Sequence, residues 1–250
     1  MCKDKPFVSV LVPTANRRKF IPMLLKYFND QDYQGKMELV ILDTGEDKVE
    51  DLIPNNPQVL YTPGDKIPIG AARNILNNLA TGEIMICMDD DDYYPPERVS
   101  HAVEQLLAYP DKLIAGCSST VIYFPDLKCL METPAKHPYH ATNATLAYRR
   151  EYLKNNRYDQ DADRGEEKSF TRNFTNPLIQ LDHRKTLLSI AHAGNTINKK
   201  KLLTYSTPVY FRPIETVIDD SIACEFINEL GREIRAEKEI KKDGSQKLLI

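Results

Sequence analysis

The first half of the chain alternates two kinds of segment. Short, mostly apolar, β-branched runs occur at Phe7–Val12, Glu38–Leu42, Gln58–Tyr61 and Ile84–Met88. Runs of this length without polar alternation predict strands covered on both faces. Between them lie segments with helical spacing. In Arg17–Asn29, the residues Phe20, Ile21, Leu24, Leu25 and Phe28 fall on one stripe, and Ile69–Ala80 and Pro95–Ala108 repeat the pattern. Pro95-Pro96-Glu97 supplies a good opening turn for the last of these. Strands alternating with helices predict an α/β fold with a mostly parallel sheet, whose ligands gather at the carboxyl ends of the strands.

Beyond Lys112 the pattern changes. Lys112–Phe124 and Leu127–Glu132 are expected as strands joined by the Pro125-Asp126 turn, forming an antiparallel extension of the sheet. Tyr152–Asn176 is polar with short helical stretches, and Ser189–His192 is expected as a last strand. From Asp219 to Lys242 a long helix carries Ile222, Phe226, Leu230 and Ile234 four residues apart. This predicts a single domain over 1–218, with halves 1–111 and 112–218, and a helical tail over 219–250. The stripe of that tail would cap its own domain or form a homodimer contact with a second copy.

Composition narrows the partners. A net charge of −3 gives no excess of basic residues for a nucleic-acid partner. Cys2, Cys87, Cys117, Cys129 and Cys224 form no CxxC pair, as suits free thiols in a reducing compartment. The opening Met1-Cys2-Lys3-Asp4-Lys5-Pro6 is polar, and no apolar run reaches the roughly 18 residues of a transmembrane segment. A soluble, cytoplasmic protein is expected.

The chemistry concentrates at strand ends. Ile84–Met88 runs directly into Asp89, Asp90, Asp91 and Asp92. Adjacent like charges repel, and a cation among them favours their ionised forms. Hard oxygen donors suit Mn²⁺ or Mg²⁺, held by one or two carboxylates together with substrate phosphates. A solvated acidic turn is the competing reading. The first strand leads into Pro13-Thr14-Ala15-Asn16-Arg17, and the second ends at Asp43, which can accept the ring N–H of a uracil or cap its own turn. Gly70-Ala71-Ala72-Arg73 opens a helix with small residues, and Arg73 can meet a phosphate or pair with the aspartates.

Taken in order, these blocks resemble the family 2 glycosyltransferases. VSVLVPTANR is similar to that family's opening, ELVILDTGE to its second strand, and IGAARN to its G-x-x-x-A-R-N helix start. MDDDDYYPPERV resembles its L-D-x-D-D-x-x-x-P block. Leu146–Tyr152 resembles its hydrophobic-R-R-E segment, and Gly165-Glu166-Glu167 stands where the family has G-E-D. The resemblance covers about residues 7–195. It implies a GT-A fold and an inverting, metal-dependent transfer of sugar from a nucleotide diphosphate, with a UDP-sugar favoured, to a glycan or glycoconjugate hydroxyl.

The resemblance also implies roles. Pro13, Thr14, Asn16, Arg17, Asp43, Arg73, Asp89 and Asp90 would bind the donor, with Asp43 on the base and Asp89 at the ribose. Asp91, with Asp92 nearby and His192 as a further candidate, would hold the metal. Glu167 would be the general base, with Glu166 as its rival. Ala15 replaces the usual Tyr, Thr44 and Glu46 depart from the second motif, and Glu167 is one methylene longer than the usual Asp. The acceptor would lie near Tyr139, His140, Tyr148 and Tyr158, each of which also fits ordinary packing. Rival readings are a nucleotidyltransferase of similar fold, which would need a Gly-rich loop after the first strand, and a non-catalytic nucleotide-sugar-binding module.

Overall fold

The computed structural model describes residues 5–204 and 208–246. Cys2 and the rest of the polar stretch 1–4 lie outside the described residues. The elements along the chain begin with β1 (Val8–Thr14), α1 (Ile21–Asn29), β2 (Met37–Asp43), β3 (Val59–Pro63), α2 (Ile69–Leu79) and β4 (Ile84–Cys87). They continue with α3 (Arg98–Ala108), β5 (Ile114–Gly116), β6 (Val121–Phe124), β7 (Cys129–Glu132) and β8 (Ala147–Arg149). The last are α4 (Glu167–Phe170), β9 (Ile179–Gln180), β10 (Leu188–Ile190), β11 (Val209–Phe211) and α5 (Ser221–Gln246). The chain divides into two compact units, one of residues 1–119 with 135–187 and one of 120–134 with 188–250.

The first unit is built on a seven-stranded sheet in the order β3-β2-β1-β4-β8-β5-β9. β1 runs parallel to β2 and β4, while β8 is antiparallel to both β4 and β5. Every residue of β4 is buried, as are Val8–Val12 of β1, which is what the unbroken apolar runs required. Register places Thr14 beside Asp43 and Leu11 beside Cys87, so the carboxyl ends of β1, β2 and β4 share one edge. α2 follows directly on a close approach: a Cβ on Gly70 would lie 1.8 Å from the Asp159 carbonyl oxygen. Gly70→Ala is therefore expected to cost about 1–3 kcal/mol of stability by overpacking. A thermal unfolding midpoint equal to that of the parent would refute this.

The second unit holds a four-stranded sheet in the order β10-β6-β7-β11 and the long helix α5. Here the sequence expectations need correction. Lys112–Phe124 is two strands, not one, and β5 and β6 join different sheets. Between them the Cys117 amide donates to Thr145 Oγ1 and the Ser118 amide to Gln180 Oε1, both at 2.9 Å, so side chains take over from the ladder. The β6–β7 hairpin is antiparallel as expected but does not extend the main sheet, whose antiparallel member is β8. The buried face of α5 runs through Ala223, Ile227, Leu230 and Ile234, while Ile222 is 58% exposed. A stripe read strictly every four residues drifts off a 3.6-residue helix, which explains the miss. No described helix is long and apolar enough to cross a membrane.

Candidate donor and catalytic site

Loops after β1 and β2 are fastened together. Asn16 adopts a left-handed backbone (φ 56°), which Asn tolerates better than most residues. Its Oδ1 accepts from the amides of Glu46 and Asp47 at 2.8 and 3.0 Å. Gly45 is required beneath it, since a Cβ there would sit 2.4 Å from the Asn16 nitrogen. Asp43 is fully buried and organises its own loop: it accepts from Gly45 N at 2.9 Å, Val49 N at 2.9 Å and Tyr61 Oη at 2.8 Å. Burial, reinforced by the Asp43 carboxylate, pushes the Tyr61 phenol up to about 12. These three bonds fill most of the roughly four acceptor positions that a carboxylate offers. Pro13 is half-buried in β1, paired with Leu42.

The four aspartates differ sharply. Asp89 is the accessible one, with a side chain 32% exposed, and its amide donates to the buried Tyr94 hydroxyl at 2.5 Å. Asp90 is turned inward, accepting from Thr14 Oγ1 at 2.6 Å. Burial, aided by the Asp91 charge, pushes its carboxyl up to about 8. Asp91 pairs with Arg17, and Asp92 is buried.

Arg73 joins this loop to the acidic pair downstream. Its Nη2 donates to Asp89 Oδ1 at 2.9 Å and its Nε to Glu166 Oε1 at 2.7 Å. Burial alone would lower the Arg73 pKa, but Asp89 and Glu166 outweigh it and hold it well above its ordinary value. Asn143 belongs to the same cluster and was not among the residues the sequence singled out. With its amide oxygen toward Arg73 it accepts from Nε at 2.8 Å and Nη1 at 2.9 Å, and its nitrogen faces the Tyr158 hydroxyl. Beneath the aspartates, the wholly buried Arg98 donates to the carbonyls of Cys87 and Leu146 at 3.1 and 3.0 Å. That fixes the chain just ahead of Asp89.

Glu166 and Glu167 have separate surroundings. Glu166 is 6% exposed and committed to Arg73. Glu167 is half-buried and forms no ion pair with another described residue. Burial chiefly, then the neighbouring Glu166 and Asp89 charges, raises its pKa. Of the aromatic candidates for acceptor contact, Tyr148 and Tyr158 are core residues, and Tyr158 stacks on Phe170 at 4.0 Å. His140 is also buried, bonded to Ser118 Oγ, which leaves Tyr139 as the exposed member. His192 lies in the second unit, where its ring meets the Asn195 amide at 2.9 Å.

The donor set fits a hard divalent ion held by few protein ligands. Among the described residues no group of three or more His, Cys, Asp or Glu side chains could encircle an ion. Mg²⁺ and Mn²⁺ need only one or two carboxylates when phosphate oxygens complete the shell. Asp91 would then exchange Arg17 for the ion.

Residues 9–203 match the family model of glycosyl transferase family 2. Over 166 residues the chain is 30% identical to a protein named as a colanic acid biosynthesis glycosyl transferase, WcaA, of Escherichia coli (strain K12). That match takes in 61% of this chain and 56% of WcaA. The fold is similar to S. aureus TarS 1-349 in complex with UDP-GlcNAc, with a TM-score of 0.59, 20% identity, and coverage of 75% of this chain and 59% of that one. It is also similar to the mannosyltransferase PcManGT from Pyrobaculum calidifontis in complex with GDP-Man and Mn²⁺. There the TM-score is 0.60 at 18% identity, over 98% of this chain and 81% of the other. The chain thus spans little more than half the length of WcaA and of TarS 1-349.

Proposed function

The chain belongs to glycosyl transferase family 2, with the GT-A fold, and we propose that it transfers a sugar with inversion from a UDP-sugar to a hydroxyl of a glycan or glycoconjugate. The observation that carries the assignment of roles is the hydrogen-bonded path Asp89–Arg73–Glu166, which ends one residue before Glu167. It ties the loop that would hold the donor to the segment that carries the carboxylate that would act on the acceptor. Glu166 is occupied by Arg73, so Glu167 takes the part of the base.

In this reading the acceptor oxygen forms a bond to the anomeric carbon as the bond from that carbon to the diphosphate oxygen breaks. Glu167 receives the acceptor's proton. Asp43 uses its remaining acceptor position on the ring N–H of the base, and Asp89 faces the ribose. Thr14, Asn16 and Pro13 shape the loop around the nucleotide, and Arg17, once released from Asp91, stands ready for phosphate oxygens. A divalent ion held through Asp91, with Asp92 at its side, would neutralise the charge that grows on the leaving diphosphate. Both the UDP-GlcNAc complex of TarS and the GDP-Man complex of PcManGT support a nucleotide-sugar donor.

The test is thermal stabilisation by a panel of nucleotide-sugars with Mn²⁺, Mg²⁺ or EDTA. A ligand at a hundredfold its Kd stabilises the folded state by about 2.7 kcal/mol. The expected result is a metal-dependent shift with a UDP-sugar that disappears in Asp91→Ala. No metal-dependent shift with any nucleotide would sink the reading and favour a non-catalytic module.

A further inference from the structure

The second unit contains a cavity of about 250 Å³ lined by Lys199, Lys200, Lys238, His192, Asn195 and Glu237, among others. Two of its lysines pair with Asp126, whose side chain is 1% exposed. Lys200 Nζ donates to Asp126 Oδ2 at 2.7 Å, and Lys238 Nζ donates to the same oxygen. A single carboxylate needs one ammonium for neutrality, yet two converge here. Lys199 adds a third positive charge, held by Ser189 Oγ and the Ile190 carbonyl. Three lysines therefore meet two carboxylates, Asp126 and Glu237. Burial, with the Lys238 charge beside it, lowers the Lys200 pKa despite its bond to Asp126.

Each ammonium carries three donors, and Lys200 and Lys238 each direct one to Asp126. The other donors of these two ammonium groups remain for the cavity or for water. A net positive, donor-lined hollow favours an anion. Its volume falls below the roughly 300–1,000 Å³ of pockets for drug-sized ligands, so it suits a phosphate group and not a whole nucleotide. The same charge argues against His192 as a ligand of a divalent cation, since the ion would face ammonium groups.

We propose that this cavity is a phosphate-binding site formed by the second unit alone, with Lys200 and Lys238 as its principal donors. The phosphate can come from a nucleoside diphosphate or from a phosphorylated acceptor, and the experiment separates these sources.

The whole chain is titrated calorimetrically with inorganic phosphate in chloride buffer without divalent metal. Saturable binding is expected, retained in Asp91→Asn. It should weaken at least tenfold in Lys238→Gln, a half-exposed position that leaves Lys200 on Asp126. Glu237→Gln removes an opposing charge and should tighten binding, a gain that misfolding cannot imitate. No saturable binding, an adventitious response that Lys238→Gln leaves unchanged, or loss in Asp91→Asn would overturn the proposal. Competition by methyl phosphate but not by metal-free UDP identifies an acceptor phosphate as the source, and the converse identifies the nucleotide. Competition by neither overturns the assignment of the site to phosphate esters.

Discussion

Glu167→Gln is expected to lower turnover by about 10²–10⁴-fold, the range a positioned general base contributes, while leaving donor affinity intact. The substitution is isosteric and removes only the ability to take a proton. Because Glu167 forms no ion pair with another described residue, its replacement breaks no ion pair. Glu166→Gln should behave differently, weakening the buried contact to Arg73 and with it the folded state. Rate must also fall as pH drops through the Glu167 pKa, because the base acts in its ionised form. Burial and the adjacent Glu166 charge raise that pKa, so the acid limb of kcat/KM lies above the ordinary carboxylate range. Steady-state kinetics with a donor titration decide the matter. Full turnover in Glu167→Gln, or an acid limb at an ordinary carboxylate pKa, would remove it from the role.

Arg73→Met is expected to destabilise the protein by about 3–5 kcal/mol, the cost of stripping one partner from a buried ion pair. The methionine keeps much of the side chain's volume but leaves Glu166, with a side chain 8% exposed, as an uncompensated buried carboxylate. Asn143 loses its donor at the same time. Adding Glu166→Gln should recover a substantial part of the loss, because the orphaned charge is then gone, and the double-mutant cycle measures the coupling. Denaturant titration followed by circular dichroism tests this. Additive single effects would show that the pair is not coupled and that Arg73 serves the fold in another way.

β1, β2 and β4 were legible because they are largely covered on both faces and therefore consist of apolar runs, whereas the edge strand β3 has no buried residue. β8 and β9 were not, since strands of two or three residues such as Ile179–Gln180 leave no periodic signal. The division of Lys112–Phe124 between two sheets depends on acceptors from Thr145 and Gln180, which lie far along the chain. In the site, the aspartates and Arg73 announced themselves by position at strand and helix ends. Asn143 did not, because its meaning rests on a partner 70 residues earlier. Tyr148 and Tyr158 had the chemistry of sugar contacts but are core residues. Their hydroxyls are satisfied inside, by Asn77 and Asn143 respectively.

The Asn16 side-chain oxygen that grips two amides of the neighbouring loop makes the segments after β1 and β2 a single mechanical piece. Jaws joined in this way cannot adjust separately to what enters between them. If Asp43 meets the base as proposed, discrimination there is set when the chain folds and not when a ligand arrives. Substitutions meant to alter that contact would then have to be matched on both loops. Any one of them alone would first appear as a loss of order at Gly45–Asp47 before any new preference emerged.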